Sequence, residues 1–239
     1  VKIVFVGPTV PDAPERAGAA FAIRPPAMQG DILRAIRAGA TIIGLVDGNF
    51  ERVAPVWHKE ILFALSEGVQ VFGAASMGAL RAAECAAFGM VGIGEIYRQY
   101  AAGELADDSD VALLHAPAEL GYAPLTVPLV NVRATLARLR QGGSITAADA
   151  ARIEAAAGQI FYKRRTWAAI VADADLPADG DRVALAARLQ QEMVDQKRAD
   201  ALALFDAVRA QPNERRGERP GWAFHSTTMW KVLLNQPET

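Results

Sequence analysis

Ser76 stands in Gly73-Ala74-Ala75-Ser76-Met77-Gly78-Ala79-Leu80-Arg81-Ala82-Ala83-Glu84, walled by residues with almost no side chain. Val69-Gln70-Val71-Phe72 before it reads as a buried strand, and the alanine-rich run after it as a helix. A serine at such a junction has three uses. It can be a nucleophile on a tight strand-to-helix turn, a helix cap, or part of a phosphate loop. Small residues at Ala74 and Gly78 resemble the crowded turn of a nucleophile elbow, with Ala where glycine is usual. The spaced glycines and following lysine of a P-loop are missing. Lys59 is one of only five lysines among 25 basic residues. Lysine can act as a base once desolvated, which arginine cannot. His58 beside it, Asp47 at a strand end, Thr9 after Gly7-Pro8, and Arg81 complete the set of candidates.

The elements that must position these residues follow from apolar patterning. Residues 2–6 and the nearly all-apolar 41–46 read as strands, with a short one at 21–24. Asp31 is expected to cap a helix that runs to about Gly39. A helix from Pro55 to about Glu67 places Trp57, Ile61, Leu62 and Leu65 on its apolar arc, with His58 inside it, Lys59 at its margin, and Glu60 on the polar side. Alternating strands and helices with short links imply right-handed crossovers and a parallel sheet. Its carboxyl edge then gathers the loops at Gly7-Pro8-Thr9 and Asp47-Gly48, the first turns of the Lys59 helix, and Ser76. Cys85 is expected to fill the core, and Asp47 to anchor a turn. Asp107-Asp108-Ser109-Asp110 lacks the glycine and distal glutamate of an EF-hand and reads as a solvated acidic turn, so no metal site is expected. Val111–His115 is the expected last strand.

From about Pro124 the pattern becomes helical, over 127–140, 147–172, 181–209 and 222–234. Thr146 with Asp149 starts one helix and Asp179-Gly180 breaks a pair. Lys163-Arg164-Arg165 and Arg215-Arg216 read as solvated charge, and 211–220 as mobile. The expected class is α/β: a mostly parallel sheet with flanking helices over 1–120, and an α-helical second half, 121–239, packed on it.

The chain has 239 residues, 51% of them apolar, and a net charge of −2, enough to bury a core and too acidic for a generic nucleic-acid binder. One cysteine forbids an internal disulfide and no apolar run spans a bilayer, so a cytoplasmic protein is expected.

The central block, with Gly7-Pro8-Thr9, Pro25-Pro26, Gly30-Asp31, Asp47-Gly48, Trp57-His58-Lys59-Glu60-Ile61-Leu62, Gly89-Met90-Val91-Gly92-Ile93-Gly94 and Asp107-Asp108-Ser109-Asp110-Val111-Ala112, resembles the TfuA-like family over roughly residues 1–120. The resemblance implies a part in peptide backbone thioamidation beside a YcaO enzyme. It implies hydrolysis of the thiocarboxylate of a ThiS-like carrier protein to release sulfide, with no cofactor and with the precursor peptide as a further partner. The implied pair is Ser76 and Lys59; from the residues themselves Ser76 is expected to attack, Lys59 to deprotonate it, and His58 or Asp47 to tune the pair. Met77 N–H is the first oxyanion candidate and Thr9 N–H the second, with Arg24 or Arg81 offsetting the substrate's charge. The rival is a non-catalytic adaptor that brings peptide or carrier to YcaO, with Ser76 a mere cap.

Overall fold

The computed structural model describes residues 1–49, 53–178, 180–218 and 220–235. Strands β1 (Lys2–Phe5), β2 (Ala22–Arg24), β3 (Ile42–Leu45), β4 (Gln70–Ala74) and β5 (Val91–Ile93) form one parallel sheet in the order β2-β1-β3-β4-β5. Between them run α1 (Ala13–Ala17), α2 (Asp31–Arg37), α3 (His58–Ser66) and α4 (Met77–Cys85), and α5 (Gly94–Ala101) follows β5. This order reverses the direction of winding between β1 and β3, so the two loops leaving those strands part to opposite faces and leave a crevice at their carboxyl ends.

Each face of the sheet has its own core. Ile3, Phe5, Ile43, Leu45 and Val71 pack against Ile32 and Ile36 of α2, Ile61 and Leu65 of α3, and Ala82 and Cys85 of α4. Burial pushes the Cys85 thiol up to about 11, which keeps it an unreactive filler, as its alanine surroundings imply. On the opposite face, Val4, Ile42 and Phe72 meet Ala13 and Ala17 of α1 and Leu204, Phe205 and Val208 of α10 (Gln196–Ala210). Gly44 permits this approach: a Cβ there would lie 2.9 Å from Leu204 Cδ2.

The packing divides the chain into residues 1–104 with 200–239, and residues 105–199. The change of composition near residue 120 is therefore not the structural boundary, because most of α10 belongs with the sheet. The second unit packs α6 (Leu129–Gln141), α7 (Ala147–Gln159), α8 (Trp167–Asp173) and α9 (Arg182–Gln191) around Leu136, Ile153, Trp167, Ile170 and Leu189. No helix among the described residues is long and apolar enough to cross a membrane.

Several sequence expectations change. The last strand is Val91–Ile93, not Val111–His115. Gly92 sits inside it because the Tyr97 ring occupies the space a Cβ would need, and the backbone of His115 forms an isolated bridge to Pro124 rather than a strand. The helix expected over 147–172 breaks where Arg165, buried, donates to the α7 carbonyl of Ala157 at 3.0 Å and Thr166 caps α8. That arginine is no solvated charge. The 181–209 segment likewise breaks into α9 and α10, and Asp179 lies outside the described residues. Arg215 donates to Ala40 and Ile36 carbonyls and Arg216 N–H to Gly68 O, which ties part of the 211–220 segment, expected to be mobile, to the sheet unit. Thr146 caps α7 through Asp149 N–H as read.

Candidate functional site

Ser76 follows β4 with one residue between and is the N-cap position of α4. Its N–H donates to Ala74 O at 2.8 Å, two residues back, across Ala75 at φ 67°. That combination is a γ-turn of the strained, positive-φ kind. A non-glycine residue there costs on the order of 1–3 kcal/mol, held by its surroundings. The surroundings are tight: a Cβ on Gly78 would overlap the Leu45 carbonyl oxygen, one on Gly48 would lie 2.9 Å from Met77 Cγ, and Gly78 N–H donates to Val46 O at 3.1 Å. The turn therefore lies against the end of β3.

The Ser76 side chain makes no capping hydrogen bond, although it sits where a serine ordinarily makes one. The residue as a whole is only 8% exposed. Met77 N–H at the start of α4 also lacks an acceptor among the described residues, so a hydroxyl and a helix-terminal donor stand side by side.

Asp47, at the end of β3, is buried and accepts Gly7 N–H at 2.9 Å, Thr9 N–H at 3.0 Å and the Thr9 hydroxyl at 2.6 Å. It thus fastens the loop after β1 to the end of β3, across the point where the winding reverses. Its partners lie 38 and 40 residues away rather than in its own turn. This corrects the reading of Thr9 N–H as an oxyanion donor: that hydrogen bond is already made to Asp47.

Helix α3 starts at His58, not Pro55, because Pro55 bridges Met28 in extended backbone and Gln29 N–H holds Ala54 O. The later start leaves Trp57 outside the helix as its N-cap. His58 leaves the apolar arc and pairs through Nε2 with Glu84 Oε2 at 2.7 Å, 43% exposed. Lys59, half-buried, holds its Nζ 4.9 Å from the centroid of Phe224, within a cluster that includes Phe63 and Trp230. It makes no hydrogen bond to Ser76. Arg81, buried, donates through Nε to Val56 O at 3.2 Å and pairs with Glu84 Oε2 at 2.6 Å. Arg24, at the carboxyl end of β2, is exposed.

Glu60 was misplaced by periodicity. It is fully buried and accepts Gly30 N–H at 2.9 Å through both oxygens and Leu33 N–H at 3.4 Å, at the head of α2. The signal was present: Gly30 is the N-cap of α2 and has no side chain to serve the free amides, so an acceptor must come from elsewhere. Asp31 instead accepts Met28 N–H in the preceding turn. Burial pushes the Glu60 carboxyl above its usual value near 4.5, against the pull of the Gly30, Leu33 and Trp57 amides. A carboxyl raised on folding binds its proton more tightly in the native chain. Its favourable contribution is complete below the unfolded value and is lost as pH rises through the native one. Glu60→Gln keeps an acceptor and cannot ionise, so it is expected to remove that decline. Urea unfolding from about pH 4 to about pH 8 measures the difference between the two slopes.

Asp107, whose carboxyl accepts Ser109 N–H at 2.8 Å, is lowered by that bond first and caps its own short turn. The acidic segment is thus locally self-bonded.

A search of curated proteins finds no significant match. A family model described as TfuA-like protein matches residues 47–166, from the Asp47 that fastens the sheet edge, through α3 and the Ser76 turn, to the Thr166 cap of α8. The match leaves residues 1–46 outside it and reaches beyond the resemblance read over 1–120. It covers half of the chain, which is therefore a member of the TfuA-like family.

Proposed function

We propose that the protein is an accessory hydrolase of peptide backbone thioamidation, which releases sulfide from a thiocarboxylated ThiS-like carrier for a partner YcaO enzyme. Family membership supports the setting, and one observation carries the chemistry: a largely buried serine on a strained turn at the sheet's carboxyl edge, where it does not cap its helix. In the proposed reaction Ser76 Oγ attacks the thiocarboxylate carbon while Lys59 Nζ takes its proton. The C–S bond breaks and sulfur leaves with that proton as hydrosulfide. Water then cleaves the acyl-serine ester, so thiocarboxylate and water become carboxylate and hydrogen sulfide. Met77 N–H is the donor proposed for the developing oxyanion.

Lys59 must leave the Phe224 ring to serve as base. Its Nζ lies 4.9 Å from that ring's centroid, a contact that the reaction has to break. The test incubates the pure protein with thiocarboxylated carrier and follows sulfide. Lys59→Met is expected to lower the rate about 10²-fold. Lys59→Arg is expected to be no better, because guanidinium does not give up its proton. Recovery by arginine would instead assign Lys59 to holding the anion.

The adaptor reading draws on a separate feature. Residues 114–125 fold back through Leu125 N–H to Leu114 O and Ala116 N–H to Ala123 O, with Leu120 68% and Leu125 54% exposed. An apolar loop of this kind suits contact with a protein partner. On that reading Ser76 and Lys59 variants keep full activity in the coupled thioamidation reaction.

A further inference from the structure

Lys59 lies between two residues that are each held by a different helix. His58 is held by Glu84 of α4, and Glu60 by the amides at the head of α2. Glu84 Oε2 accepts from His58 at 2.7 Å and from Arg81 at 2.6 Å, and Arg81 also holds Val56 O, just ahead of α3. One carboxylate oxygen thereby joins the helix that carries Ser76 to the first turn of the helix that carries Lys59. Arg81 is the buried anchor, its side chain 11% exposed, while Glu84 and His58 stand at 36% and 43%.

Stability alone gives a weak reason for this bridge. Pairs as exposed as His58 and Glu84 add little to stability. Geometry gives a stronger one, because a displacement of about 1 Å between reacting groups can cost about 10²-fold in rate. We propose that Glu84 is a positioning residue: through Arg81 and His58 it fixes the first turn of α3 against α4, and so sets the path by which Lys59 reaches Ser76. This rests on the hydrolase reading above. It assigns Glu84 no contact with substrate.

The test measures kcat and KM for sulfide release from thiocarboxylated carrier, together with thermal unfolding, for wild type, Glu84→Ala, Glu84→Gln, His58→Ala and the Glu84→Ala/His58→Ala double variant. Glu84→Ala is expected to lower kcat about 10-fold with KM within about two-fold of wild type. Glu84→Gln, whose amide oxygen can still accept from both partners, is expected to recover most of the rate. The double variant is expected to be no slower than Glu84→Ala, since both changes break one bridge. A labelling rate of Ser76 with a fluorophosphonate is expected to fall in parallel with kcat. An unchanged kcat in Glu84→Ala, a loss explained wholly by a lower folded fraction, or losses that multiply in the double variant overturns the positioning role while the hydrolase reading stands. A wild-type protein that releases no sulfide overturns both.

Discussion

Ser76→Ala is expected to reduce sulfide release at least about 10³-fold, with the melting temperature and carrier binding unchanged. The size follows from the role: without the hydroxyl no acyl-serine forms, and only the binding and polarisation of the thiocarboxylate remain. The silence in stability follows from the geometry. The hydroxyl makes no hydrogen bond, so its removal leaves no partner orphaned, and the change should fall within about 0.5 kcal/mol. A serine that capped α4 would behave in the opposite way, costing about 1 kcal/mol of stability with no loss of chemistry. Sulfide assay and thermal unfolding on one variant therefore separate nucleophile from cap. Fluorophosphonate labelling of wild type but not of the variant would identify the reactive hydroxyl independently.

Gly78→Ala is expected to be the most damaging single-methyl change in the sheet unit, by about 4 kcal/mol or more, enough to leave much of the protein unfolded. The added carbon would overlap the Leu45 carbonyl oxygen and lie 2.5 Å from the Leu45 carbonyl carbon. Both belong to the backbone of β3, paired to β1 on one side and β4 on the other, so neither can give way as a side chain would. A contrast is available in α7. A methyl on Gly158 meets nothing within 4 Å, and Gly158→Ala should be stabilising by about 0.5–1 kcal/mol through helix propensity. Urea unfolding of the two variants tests whether close approach, rather than glycine itself, is what the Ser76 turn requires.

The parts of this fold that could be read in advance are those set by local pattern. Apolar runs rich in β-branched residues marked β1 and β3, an alternating one marked β4, and Thr146 with Asp149 marked the head of α7. The gathering of Ser76, Asp47 and the Thr9 loop at one edge followed from topology, which needs only strand order and crossover hand. What could not be read depends on partners distant in sequence. Glu60 looks like a surface residue until Gly30, 30 residues earlier, is seen to lack a cap. His58 looks apolar-facing by periodicity, and its partner is Glu84 of α4, 26 residues away. Lys59 has an aromatic neighbour, Phe224, 165 positions away by number, and no periodicity announces it. β5 was hidden by a glycine that serves packing against Tyr97 rather than a turn.

Lys2 Nζ donates to the carbonyls of Val208, Arg209 and Gln211, closing the end of α10 with the first strand. Part of the cover of one sheet face is thus encoded about a hundred residues after the last strand. At a synthesis rate of about 5–20 residues per second, a ribosome-bound chain would hold Val4, Ile42 and Phe72 without α10 for roughly 5–20 s. That apolar face is the part of the sheet unit left uncovered longest during synthesis.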